Sequence, residues 1–186
     1  MYISESYIRE STEQLFLYHY FPKVLLKSIQ QHGLLSMYSL SIIDPKKFRM
    51  AVKGYEPKIK KLLKVSQVGW DELEEYFTRQ NLSTRSIYCS FWEVIPGLHA
   101  GRDQFVRNSY LAKIPFSILN SNWDYKLVHG NHNESINISG ISQYMNMDSH
   151  EYQRKQGGRF LFSHIPHLAI IPRDGLIHKN KIILEV

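Results

Sequence analysis

Apolar positions along this chain fall into short runs, and the first run is the most organised. Leu15–Phe21, LFLYHYF, is a continuous stretch of aromatic and aliphatic side chains and predicts a strand. Pro22 suits the first turn of a helix, where its missing N–H costs nothing. Val24, Leu25, Leu26, Ile29 and His32 follow at helical spacing, and Gly33 suits the C′ position that closes such a helix. The pattern predicts a strand over 15–21, a helix over 23–32, and a loop or short strand over 34–40. His19 stands at the end of the strand, beside the helix N-terminus with its free backbone donors. Two readings apply to it. One is a half-buried ring with a single hydrogen bond, and the other is a ring nitrogen that orients a bound nucleotide.

The next stretch, Asp44–Arg79, has a helical pattern throughout. Asp44 caps and Pro45 starts a helix to about Val52, and Gly54 interrupts it. Pro57–Val65 predicts a second helix with Ile59, Leu62 and Leu63 on one side. Trp70–Thr78 predicts a third, with Leu73, Tyr76 and Phe77 as its apolar stripe. Arg85–Trp92, RSIYCSFW, alternates as a strand. Ser86, Tyr88 and Ser90 share one face, and Ile87, Cys89 and Phe91 share the other. The polar face suits either the lining of a cleft or hydroxyls satisfied at the core edge. This strand and the one over 15–21 are expected to be neighbours in one sheet.

Shorter elements follow. VIPGLHAGRD, 94–103, reads as a loop flanked by Arg102 and Arg107, with Phe105 and Val106 as its anchors. Tyr110–Ile114 reads as a strand ended by Pro115, and Phe116–Leu119 as a short helical turn. Tyr125–His129 is another strand, and the stretch 130–142 is polar. A polar helix is expected within 141–158. RFLFSH (159–164), His167–Ile171 and Lys181–Val186 complete the strands, with a turn at Asp174–Gly175. Strands in the second half and helices in the first make the expected fold class α+β. A single domain over 1–186 is expected, with a small basic helical insertion over about 44–79. His129 and His132 stand three apart, but without a second close pair of ligands they are weak evidence for zinc, and no metal site is assigned.

Charge sharpens the picture in one region. The chain of 186 residues carries a formal net charge of +6. Lys46, Lys47, Arg49, Lys53, Lys58, Lys60, Lys61 and Lys64 crowd one segment, opposed there by Glu56 alone. This is either a solvated face or a patch against phosphates, and Lys58, Lys60, Lys61 and Lys64 are candidate nucleic-acid contacts. Arg154, Lys155 and Arg159 form a second basic group and are further candidate nucleic-acid contacts. The one cysteine, Cys89, excludes an intrachain disulfide and fits a reducing compartment. No run approaches the ~20 apolar residues that span a bilayer. The expectation is a cytoplasmic protein with no membrane partner. Composition leaves the oligomeric state open.

Tyr18–His19, Ser28–Ile29 and His32–Gly33–Leu34–Leu35 together make the pattern YHxxxxxxxxSIxxHGLL. It resembles the opening of the ADP-ribosyltransferase-like fold. It is most similar to the DarT-type DNA-targeting branch, which includes toxins of toxin–antitoxin pairs, and more distantly to the RNA 2′-phosphotransferases. The resemblance implies a split two-sheet core and NAD as cofactor, with nucleic acid or protein as acceptor. It implies that His19 holds the nicotinamide ribose and that Tyr88 or Phe91 stacks on nicotinamide. Tyr18, Ser36 and Tyr38 would lie close to the same ligand. It also implies a glutamate that stabilises the oxocarbenium-like ribose and helps deprotonate the acceptor. RKQGGRFLFSHIP is similar to the region that carries this acid, yet Gly158 and Arg159 stand about where the acid is due. An arginine there prefers phosphate to a cationic sugar. Glu151 is therefore the candidate acid, with Glu93 behind it. Two alternatives stay open: an inactive nucleic-acid- or protein-binding module on the same fold, and a metal-dependent nuclease or hydrolase using His129, His132 and Glu151.

Overall fold

The computed structural model describes residues 15–93, 107–129, 132–148, 152 and 166–186. The first strand, β1, spans Phe16–Pro22. Pro22 is the strand's last residue rather than part of the helix, because its ψ of 137° is still extended. A 3-10 turn at Lys23–Leu25 then leads into α1, Leu26–His32. Gly33 ends α1 at φ 98°, and a Cβ there would lie 2.1 Å from the Ile177 carbonyl oxygen. Only glycine fits that position, both for its backbone and for the space.

The expected loop or short strand over 34–40 begins as a two-residue strand, β2 (Leu34–Leu35), but continues as an unexpected helix, α2 (Met37–Ile43). Ser36 caps α2 by accepting from the Ser39 amide at 3.1 Å. The three following helices match their predicted positions: α3 (Pro45–Lys53), α4 (Glu56–Leu63) and α5 (Trp70–Arg79). Asp44 caps α3 through the Lys47 amide, and Glu72 accepts from the Gly69 amide at the start of α5. These helices share a small core of Val52, Ile59, Leu73 and Phe77. Leu62, expected on that inner side with Ile59, is 40% exposed.

The remaining strands are β3 (Ile87–Ser90), β4 (Ser109–Pro115), β5 (Asp124–His129), β6 (His132–Ser135), β7 (His167–Ile171), β8 (Leu176–Ile177) and β9 (Ile183–Glu185). A last described helix, α6, spans Ile138–Met145. The stretch 130–142, read as polar with no element assigned before 141, contains β6 and the start of α6. The strands form a seven-stranded sheet in the order β6-β5-β7-β3-β1-β4-β9 and a two-stranded sheet of β2 and β8. Every described pairing is antiparallel. The fold is mixed α+β, and β1 and β3 are neighbours as expected.

The large sheet buries one face under α1 and α6. Leu17, Phe21, Ile87, Cys89, Ala112 and Ile114 meet Ile29 of α1 and Ile141 and Met145 of α6 there. Alternation along each strand assigns the faces. Leu17, His19 and Phe21 pair with Ile114, Ala112 and Tyr110, so His19 stands on the core side. Tyr18 and Tyr20 stand on the other side, with Lys113 and Leu111 opposite them. No described helix is long and apolar enough to cross a membrane.

Candidate functional site

His19 occupies a break in a buried face. Leu17 is 0% exposed and Phe21 is 1% exposed, yet His19 between them keeps part of its surface in solvent. Its ring lies 6.4 Å from that of Phe21, 16° from parallel. On the β3 side, the two strands pair at one position, Tyr18 with Ser90. Beside that position the His19 side chain reaches across, and Nδ1 lies 2.7 Å from the Tyr88 carbonyl oxygen. A carbonyl only accepts, so Nδ1 carries the proton. Burial lowers the His19 pKa, and the bond to the carbonyl partly opposes that. The ring is therefore neutral near pH 7, with Nε2 as a lone-pair acceptor. Among the described residues, none hydrogen-bonds Nε2.

Tyr88 meets His19 through its main chain only. Its ring alternates with Ile87 and Cys89, which are core residues, and so leaves from the opposite face of the sheet. There its hydroxyl bonds to the Ser83 amide and carbonyl. Ser86 and Ser90 on the same face are 6% and 7% exposed, so this face is covered and does not line an open cleft. Phe91 is 3% exposed and stacks on Tyr144 at 5.1 Å. It fills the core, and a ring so enclosed has no free face for nicotinamide. Burial pushes the Cys89 thiol up, as suits a core position.

Tyr18 also lies away from His19. Burial and then Glu93 raise its pKa, while Lys113 lowers it. Lys113 pairs with Glu185 in the same group. Glu93 is thus tied electrostatically to Tyr18 and Lys113. Neither influence on His19 is a carboxylate. Glu151, Arg154, Lys155 and Arg159 lie outside the described residues, as do the 94–103 loop with its anchors and the RFLFSH strand. His129 and His132 face each other across the β5–β6 pair, and His129 Nε2 lies 3.3 Å from the Tyr152 hydroxyl. No cluster of three metal-ligating side chains occurs among the described residues.

Ser36 and Tyr38 line a groove of about 530 Å³ together with Ser39, Arg85, Asp124 and Arg173. Arg85 lies over the Tyr38 ring, 3.9 Å from its centre. Gly175 approaches so closely that a Cβ would lie 2.2 Å from Ser39 Oγ. Neither arginine has a carboxylate partner within ion-pair distance among the described residues. Sequence reasoning marked Ser36 and Tyr38 but missed Arg85 and Arg173. Arg85 sits one residue before the polar face of β3, which was its only local signal. A second groove of about 610 Å³ adjoins across Asp124 and Ile171, lined also by Trp123, Lys126 and Asn137. His19 lines neither groove.

The four candidate lysines, Lys58, Lys60, Lys61 and Lys64, all lie exposed on or just after α4. Comparison with family models, with curated proteins and with solved structures gives no match for this chain.

Proposed function

We propose that this chain is an NAD-dependent, ADP-ribosyltransferase-like protein in which His19 holds the ribose, with nucleic acid or protein as acceptor. The supporting observation is the bond from His19 Nδ1 to the Tyr88 carbonyl. It fixes the tautomer and presents Nε2 as an acceptor for a sugar hydroxyl without requiring a charged ring. The fit to a dinucleotide is partial. Arg85 and Arg173 line a groove that does not include His19, and Arg85 sits in the turn just before β3. Two cations in one groove, without carboxylate partners among the described residues, suit an anionic group such as a phosphate. The aromatic wall expected from Tyr88 or Phe91 is not supplied by those rings.

Bound NAD supplies a glycosidic bond whose electrons leave with nicotinamide as an acceptor oxygen or nitrogen attacks the ribose. The chain's part is to orient the ribose at His19 and to take the acceptor's proton on a carboxylate, assigned here to Glu151. A second reading, nucleotide binding without transfer, is favoured by the place of Glu93 beside Tyr18 and Lys113. Incubation with NAD and DNA, RNA and protein acceptors separates the two. Mass spectrometry is expected to find free nicotinamide and an ADP-ribose adduct, both lost in His19→Ala and Glu151→Gln. Binding of NAD without nicotinamide release selects the second reading. No binding of NAD rejects both.

A further inference from the structure

The net positive charge of this chain comes from one segment. From Lys46 to Lys64 there are eight basic residues and one glutamate, a net +7, whereas the whole chain carries +6. Everything outside this segment therefore nets −1. Among the described residues, only Lys60 of the eight has an ion-pair partner, Glu56 at 4.0 Å. The two helices point their apolar sides, through Val52 and Ile59, into the same small core. Their outer sides repeat one pattern: Lys46, Arg49, Met50 and Lys53 on α3, then Lys58, Lys61 and Leu62 on α4, all exposed. Uncompensated charge of one sign creates a field that selects an anionic partner.

The residues between the cations decide which anionic partner. Eight large hydrophobic side chains are exposed among the described residues, and five of them lie at Ile42, Ile43, Met50, Tyr55 and Leu62. Four of those five are aliphatic. Tyr55, the one aromatic, packs against Tyr76 and Phe77. Single-stranded nucleic acid without sequence preference is held by cations interleaved with free aromatic rings that stack on bases. Aliphatic side chains among lysines gain nothing from a phosphate backbone. They gain by entering the headgroup–acyl boundary of a bilayer whose anionic lipids attract the lysines. We propose that the outer face of α3 and α4, with the end of α2, docks on an anionic lipid surface. The expectation of no membrane partner rested on the lack of a spanning segment, which does not bear on surface contact. This inference is independent of the NAD reading.

The test is cosedimentation of the full chain at 0.1 M salt with vesicles of phosphatidylcholine alone and with phosphatidylserine added. Two variants accompany it, with circular dichroism to confirm that they fold. The first replaces Lys46, Lys53, Lys58 and Lys61 with Gln, and the second is Met50→Ser with Leu62→Ser. Binding to anionic but not neutral vesicles is expected. At about fivefold per charge, the four-lysine variant should weaken it several hundredfold. The Met50/Leu62 variant keeps every charge and should still weaken it several-fold. Fluorescence anisotropy with single- and double-stranded DNA and RNA runs in parallel. Absence of binding to anionic vesicles overturns the proposal, whatever the nucleic-acid result. Vesicle binding that the Met50/Leu62 variant leaves unchanged overturns it as well, since a purely electrostatic surface would behave so.

Discussion

His19 has two nitrogens with two different tasks, and two substitutions separate them. Asn places an amide nitrogen on Cγ, where His carries Nδ1, so His19→Asn can still donate to the Tyr88 carbonyl. It has nothing at the position of Nε2. His19→Ala removes both. In the alanine variant the Tyr88 carbonyl loses the partner that reaches it at 2.7 Å. Leaving such a part-buried group unpaired costs about 1–3 kcal/mol, and the half-buried ring adds about 1 kcal/mol of lost apolar contact. The expected loss is about 2–4 kcal/mol, at roughly 2–4 °C of melting temperature per kcal/mol for a chain of this size. His19→Asn keeps the bond and loses only ring contact, about 1 kcal/mol. Thermal melts and urea titrations measure the stability side, and NAD titration by calorimetry measures the ligand side. Both variants should lose NAD binding equally while differing in stability. An asparagine variant as unstable as alanine would refute the structural role of Nδ1. One that binds NAD like the wild type would refute the ligand role of Nε2.

Other outcomes follow from the same structure. Burial holds the His19 pKa below its ordinary 6.5. The unfolded chain therefore binds the extra proton first, so this contribution to stability is complete above pH 6.5 and is lost as pH falls below it. Urea midpoints between pH 8 and 5 should show that loss in the wild type and less of it in His19→Asn. Ile59→Ala empties the centre of the small helical core, where Ile59 is 0% exposed. It should cost about 2–5 kcal/mol by urea denaturation. Gly33→Ala forces a Cβ against the Ile177 carbonyl at φ 98°. It should lower the melting temperature more than the roughly 1–2 kcal/mol of left-handed strain alone would.

Much of the fold was legible because local chemistry agreed with it. Asp44–Pro45 announces α3, Gly33 closes α1, and the Leu73/Phe77 stripe places α5 against its neighbours. The elements that were missed lack such signals. Helix α2 is built from Met37–Ile43, rich in serine and isoleucine, and depends on the Ser36 cap. Strand β6 is exposed at all four positions, so no apolar alternation marks it; its ladder with β5 makes it a strand. Strand β8 exists only by pairing with β2. At the site, the two faces of β3 were read correctly, but which face met His19 was not. That depends on the register of β1 against β3, which sets Tyr18 opposite Ser90, a non-local fact. The polar face of β3 belongs instead to buried Ser86 and Ser90 and to the Tyr88–Ser83 contact. Arg85 and Arg173 are distant in sequence and line one groove because β3 and β7, which they flank, pair.

Nitrogen-15 NMR of the His19 imidazole, followed through a titration with NAD, tests the central claim most directly. In the free protein at pH 7, Nδ1 should be protonated and Nε2 unprotonated. Added NAD should move the Nε2 resonance as it accepts a ribose hydroxyl and leave Nδ1 on the Tyr88 carbonyl. A ring protonated at both nitrogens, or an Nε2 resonance unmoved at saturating NAD, would contradict the assignment of His19 as the ribose-holding residue.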